Sequence, residues 1–347
     1  MKSVDYLIVG CGLAGIALSE ILFEQGHSFL VYDNNSQQSS SVAAGMYNPV
    51  ILKRFTPVWR AMEQLQLVKP FYERLETKLN LKLDYLFPLL RRFASIEEQN
   101  LWFSAADKPA LEPFMSLDVV SYNNEGVDAP HNYGEVLHAG RVHTELLVRS
   151  YRDYLSKQDL LVKDSFNYEN IQFKSDALYY NGRPIKNIVF AEGFGLKDNP
   201  FFNHLPLGGT KGEVLTLKIP GLDLQWPIKS SVFVIPLGDD LYRVGATYNH
   251  KDKSHAPSEE GKQELLEKLS RFIKLPFSVV DHRAGVRPTV KDRRPLVGKH
   301  PEFNNMYVLN GMGSRGVMIA PYAAKQLYDF IEFNTDIDPE MDLSRFS

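Results

Sequence analysis

Hydrophobic positions near the start of the chain follow two periodicities in turn. Residues 5–9 form a short apolar run closed by glycine, the pattern of a strand buried on both faces. Over residues 13–25 the spacing becomes helical, with Ile16, Ala17, Ile21 and Leu22 on one face, and Gly26 supplies a stop. Residues 29–32 read as a second strand that closes on Asp33, completing a βαβ start. Further on, residues 55–79 predict a helix in which Pro70 marks a break or kink, and residues 141–155 predict another. Residues 188–191 suit a buried strand, and 232–236 with 242–247 an antiparallel pair turned at Gly238-Asp239-Asp240. Residues 259–272 form an amphipathic charged helix. Residues 306–309 read as a strand, followed by a glycine loop, a helix to about Ile331 and a polar tail expected to lie on the surface.

A chain of 347 residues allows about two domains. Its 44% hydrophobic and 23% charged content is that of a folded globular chain, which excludes a disordered or fibrous reading. A net charge of −3 argues against bulk affinity for nucleic acid and leaves room for a local basic patch. The single cysteine, Cys11, excludes an internal disulfide framework and a thiolate zinc cluster, and points to a reducing compartment. Only Lys2 precedes the glycine-broken opening run, and no apolar run approaches the length of a membrane span. The expectation is therefore a cytoplasmic protein without signal peptide or membrane span. His138 and His143, and His250 and His255, recur without carboxylates in a ligand pattern, so no metal site is expected.

Gly10, Gly12 and Gly15 match GxGxxG between the first strand and the first helix. One glycine turns tightly, one lets the backbone approach a pyrophosphate, and one allows close helix–strand packing, while the helix start, with Leu13 and Ala14, turns its N–H groups to the phosphates. Asp33, with Asn34 beside it, lies where a carboxylate accepts both hydroxyls of an adenosine ribose and repels a 2′-phosphate. The motif alone does not separate FAD from NAD.

Gly311-Met312-Gly313-Ser314-Arg315-Gly316 repeats the spacing, but only 31 residues follow Gly316 and none forms a further strand ending in an acid. A second dinucleotide site cannot be completed there. The loop and the helix start at Gly316 and Val317 instead offer N–H groups and a positive helix end to an anion. In a flavoprotein that target is the flavin N1–C2=O region. The segment from Met312 also lacks the first glycine of a hydrolase elbow.

With both ends in view, the chain resembles the FAD-dependent D-amino-acid oxidase superfamily, nearest its glycine and sarcosine oxidase branch. The stretches that carry the resemblance are Gly10 to Gly15 with Asp33, Ser40-Ser41-Val42-Ala43-Ala44-Gly45-Met46, Lys211-Gly212-Glu213-Val214-Leu215, Val234-Ile235-Pro236 with Val244-Gly245-Ala246-Thr247, and Ala284-Gly285-Val286-Arg287-Pro288 through Pro295-Leu296-Val297-Gly298 to the loop at Gly311. The segment Gly313-Ser314-Arg315-Gly316 with Ala320-Pro321 also resembles the flavin oxidase domain of a bifunctional tRNA wobble-uridine modification enzyme, whose methyltransferase domain has no counterpart here.

The resemblance implies an α/β (α+β mixed) fold: a Rossmann-like FAD-binding domain from 1–85, 140–204 and 282–347, with an inserted antiparallel-sheet substrate domain from 86–139 and 205–281. It implies FAD, held also by Ala43, Ala44, Gly45, Met46 and Gly193; because Cys11 lies in the phosphate loop and no cysteine occurs near the C-terminal site, the attachment is expected to be non-covalent. It implies oxidation of the C–N bond of a small glycine-like or secondary amino acid by hydride transfer to flavin N5, the imine then hydrolysing, with oxygen as a candidate electron acceptor. Arg287 is the expected carboxylate ligand, since a guanidinium grips a carboxylate through two hydrogen bonds. Arg315 places positive charge near flavin or substrate, and Phe233 and Tyr242 are candidate pocket walls. Glu192 and Met312 depart from the residues that relatives carry. Two alternatives stay open: a carboxymethylaminomethyl-uridine group in tRNA, which the basic pairs Lys53-Arg54, Arg91-Arg92 and Arg293-Arg294 could serve, and a flavin-binding protein without catalysis.

Overall fold

The computed structural model describes residues 2–174 and 177–346. The βαβ start forms as the pattern predicts: strand Val4–Val9, helix Leu13–Glu24 and strand Phe29–Tyr32. Val4–Val9 pairs in parallel with Phe29–Tyr32 on one side and Arg183–Phe190 on the other. Leu161–Val162 extends the sheet beyond Phe29–Tyr32, and Met306–Asn310 joins Arg183–Phe190 in parallel. Three antiparallel strands, Ile171–Lys174, Ala177–Tyr180 and Leu296–Lys299, complete eight. Both faces are covered, which is why these strands read as near-continuous apolar runs. Tyr6, Ile8, Val31 and Val189 pack under helices Leu13–Glu24, Ala61–Leu79, Thr144–Lys157 and Gly316–Phe333. Leu7, Val9, Ile188 and Phe190 pack on the opposite side with Phe202.

A second eight-stranded sheet runs Ser278–Arg287, Thr210–Lys218, Leu241–Gly245, Phe233–Gly238, Ile228–Lys229, Leu89–Arg92, Tyr133–Val136, Met115–Val120. It is antiparallel except where Ile228–Lys229 meets Leu89–Arg92. Alternate residues of its strands, among them Leu215, Val234 and Val244, bury themselves with Leu265 and Leu269 of helix Glu259–Ser270. The other face, bearing Gly212, Phe233 and Arg287, borders a cavity. The fold is thus mixed α/β with two large sheets, one mainly parallel and one mainly antiparallel.

Several elements differ from their sequence expectations. The helix expected from residue 55 starts at Ala61, because Thr56–Pro57 pairs with Val50–Ile51 and Arg60 is left-handed at φ 50°. It passes through Pro70 as one helix; Pro70 and Gln66, whose carbonyl loses its partner, both lie on the exposed face. The helix expected from Arg141 starts at Thr144, and Arg141 instead sits in strand Gly140–Val142 beside Met46–Tyr47. Pro321, whose place near the helix start is compatible with a first-turn position, stands instead at the sixth residue of helix Gly316–Phe333. The Tyr72 hydroxyl donates to the Val317 carbonyl at 3.0 Å, the acceptor that Pro321 leaves free. The tail is not a surface segment throughout: Ile337 and Met341 are buried in the main core.

Candidate active site

One cavity of about 1300 Å³ opens between the two sheets. That exceeds the roughly 300–1,000 Å³ of ordinary small-ligand pockets and suits a dinucleotide with room for a substrate. Gly10, Gly12, Leu13, Ala14, Asp33, Asn34, Ala43, Ala44, Gly45, Met46 and Gly193 line it, as do Arg287, Gly313, Ser314, Arg315, Gly316 and Val317. Gly15 does not line it; a Cβ there would lie 2.0 Å from the Gly10 carbonyl oxygen, so this glycine serves packing.

The nucleotide end is built for a phosphate. Gly10 turns at φ 105°, and a Cβ on it would meet the Ala191 carbonyl oxygen at 2.4 Å. Helix Leu13–Glu24 begins at Gly12 with no side-chain cap of its own; Ser40 Oγ accepts from the Leu13 N–H at 3.2 Å. The Asp33 carboxylate accepts from the Cys11 N–H at 2.5 Å and the Asn35 N–H at 2.6 Å, and pairs with Arg152 at 2.6 Å. A carboxylate has about four acceptor positions. One remains, fewer than the two ribose bonds expected, so Asp33 organises the phosphate turn as well as facing the ribose position. Burial pushes the Cys11 thiol well up, which keeps it neutral.

Helix Gly316–Phe333 starts beside the first, a Cβ at Gly316 falling 3.1 Å from Leu13 Cδ1. The Gly313 N–H donates to the Pro288 carbonyl at 3.0 Å, and Asn310 Nδ2 to the Gly193 carbonyl at 3.0 Å, which ties the late loop to both walls. Two helix N-termini therefore face one cavity, and this geometry fits an anion at one and a polarised carbonyl at the other.

Arg287 closes strand Ser278–Arg287. Its Nη1 donates to the Thr247 carbonyl at 3.1 Å, its guanidinium stacks 4.5 Å from the Tyr248 ring centroid, and it lies across the Cα of Gly212. Arg315 Nη1 donates to the Asn48 carbonyl at 3.1 Å. Among the described residues neither guanidinium has a carboxylate within 4.0 Å. Burial lowers the pKa of both. Phe233 lines the cavity, whereas Tyr242 faces the helix side of its sheet and is core rather than pocket wall.

Sequence reasoning did not single out Lys229 or Tyr248, named Thr247 only within a matching stretch, and saw Glu192 only as a departure. Lys229 lines the cavity with its ammonium 5.8 Å from the Phe233 centroid, and burial brings its pKa down to about 8. Glu192 lines the nucleotide end, accepts from Asn199 Nδ2 at 2.8 Å and from the Tyr168 hydroxyl, and is pushed up to about 7 by burial. The basic pairs divide: Arg91 is spent on Glu98 and Arg92 on Asp128, while Lys53 and Arg293 stand exposed at the cavity rim. Among the described residues no helix is long and apolar enough to cross a membrane.

The family described as FAD dependent oxidoreductase matches residues 5–330. Glycine oxidase of Bacillus subtilis is 24% identical over 96% of this chain and 95% of its own. The tRNA 5-methylaminomethyl-2-thiouridine biosynthesis bifunctional protein of Campylobacter jejuni subsp. doylei is 29% identical over 39% of this chain, a match that takes up 22% of that longer protein. Iminodiacetate oxidase from Chelativorans superposes with a TM-score of 0.78 at 19% identity, covering 99% of this chain and 98% of that one. The chain belongs to the FAD dependent oxidoreductase family.

Proposed function

We propose that this FAD-dependent oxidoreductase oxidises the C–N bond of a small glycine-like or secondary amino acid, releasing an imine that water hydrolyses. The observation that carries the reading is Arg287: a half-buried guanidinium facing the cavity, stacked on Tyr248 and without a carboxylate partner among the described residues. Leaving such a charge unpaired is costly, and a substrate carboxylate relieves it through two charge-assisted hydrogen bonds. FAD, when bound, supplies the electron acceptor. The chain contributes binding and orientation: Thr247 and Tyr248 fix Arg287, and Phe233 gives an apolar wall that limits water at the reacting carbon. Similarity to glycine oxidase along nearly the whole chain supports the same class of substrate.

Anaerobic mixing of the FAD-loaded protein with glycine, sarcosine, proline and D-amino acids is the test. Bleaching of the flavin absorbance by at least one of them is expected; no bleaching by any would overturn the reading. A second reading, a carboxymethylaminomethyl-uridine group on tRNA, draws on the exposed Lys53, Lys291 and Arg293 at the rim. It requires salt-sensitive binding of unfractionated tRNA at low ionic strength.

A further inference from the structure

The substrate end of the cavity carries more positive charge than one carboxylate accounts for. Arg287 hangs from the antiparallel sheet and is held by Thr247; Arg315 hangs from the start of helix Gly316–Phe333 and is held by Asn48. The two are anchored on different walls, and the Tyr248 phenol is within electrostatic reach of both. Arg293 adds like charge near Arg315, and the exposed Lys53 stands on the same rim. The acids lining the cavity, Asp33, Asp164, Glu192 and Asp198, belong to the nucleotide end, on or just beyond strands Phe29–Tyr32, Leu161–Val162 and Arg183–Phe190. The flavin does not call for Arg315 as its counter-charge, because the backbone N–H groups at the start of the same helix already present positive potential there.

We propose that the natural substrate is an amine bearing two carboxylates, an N-carboxymethyl amine whose glycine-like carboxylate meets Arg287 and whose second carboxylate meets Arg315. This rests on the reading of Arg287 above. Two separately anchored guanidinium groups make a clamp that fixes both ends of such a molecule and so sets the position of the carbon between them. A mono-acid such as sarcosine leaves the half-buried Arg315 unmatched.

The test uses FAD-loaded protein and two unreactive ethers in which oxygen replaces the amine nitrogen: methoxyacetate with one carboxylate and diglycolate with two. Binding is followed by perturbation of the flavin spectrum, with uridine monophosphate as a phosphate-bearing control. Diglycolate is expected to bind about tenfold or more tighter than methoxyacetate. Arg315→Gln, which keeps a donor for Asn48, should erase that preference, leave methoxyacetate affinity unchanged and leave the flavin midpoint potential in place. Equal affinity of the two ethers for the unaltered protein overturns the inference but not the Arg287 reading. So does an equal loss of both ethers in Arg315→Gln, or a shifted potential, since Arg315 would then share one carboxylate or serve the flavin. Tighter binding of uridine monophosphate than of diglycolate overturns it in favour of a phosphate. If neither ether binds the unaltered protein, both readings fall together.

Discussion

The guanidinium of Arg287 lies across the Cα of Gly212, and a Cβ at 212 would come within 2.0 Å of the guanidinium carbon. Strand Thr210–Lys218 is extended there, so alanine fits the backbone and only the mobile end of Arg287 must give way. Gly212→Ala is expected to raise KM for the amino acid about tenfold or more, with a smaller change in kcat and little change in the urea midpoint. An unaltered KM would show that the guanidinium need not sit on Gly212. The stretch around Gly212 was visible in the sequence, but its partner was not. The register that sets Gly212 against Gly285, two residues before Arg287, joins strands far apart in the chain. Glu192 gives a pH dependence. Burial raises its folded pKa from 4.5 to about 7, outweighing the hydrogen bonds from Asn199 and Tyr168. Its contribution to stability is therefore complete below about pH 4.5 and is lost as pH rises through about 7. The loss is at most roughly 3 kcal/mol. Urea unfolding at pH 5 and pH 8 should show Glu192→Gln more stable than the unaltered protein at pH 8, with the difference shrinking or reversing at pH 5. A difference independent of pH would mean that Glu192 does not titrate in this range.

At the level of elements, periodicity was a better guide to what forms than to where it starts. The 3.6-residue pattern identified helix Ala61–Leu79, and its false extension to residue 55 came from Phe55, Val58 and Trp59, which pack respectively against Trp102, the cluster around Val50, and Tyr322 before the helix begins. The Asp239-Asp240 turn was legible because two short polar residues tolerate positive φ, and both adopt it, at 54° and 59°. The tail was misjudged because its polar residues outnumber two apolar anchors. Ile337 and Met341, four apart, enter the core, and the polar residues around them make specific bonds: Asp338 with Arg60 at 2.8 Å, Glu340 with Arg294 at 2.7 Å and with Trp59 at 2.9 Å. Trp59 and Arg294 line the cavity, so this segment braces its wall from behind, a relation no local pattern contains.

Across the whole molecule, a net charge of −3 conceals a division that only folding creates. The phosphate end of the cavity gathers carboxylates on the mainly parallel sheet, where the glycine motif was readable because strand, turn, helix and acid are neighbours in sequence. The substrate end gathers Lys53, Lys229, Arg287 with Arg293, and Arg315 from four separate stretches, and no spacing rule connects the four. A cleft lined by one sign of charge focuses its field into the opening and raises the encounter rate of oppositely charged molecules, an effect that mobile ions screen beyond about 8–10 Å near 0.1–0.15 M salt. For any anionic amine that bleaches the flavin, the bimolecular rate of reduction should therefore fall about tenfold between 20 and 500 mM sodium chloride. The limiting rate at saturation should change by less than about twofold, because the buried pair formed with Arg287 is screened far less than the approach. Neutralising two rim charges in Lys53→Gln with Arg293→Gln should flatten the salt dependence and leave the limiting rate. If salt instead depresses the limiting rate and spares the bimolecular one, the charges act after binding, and the field over the opening has no part in capture.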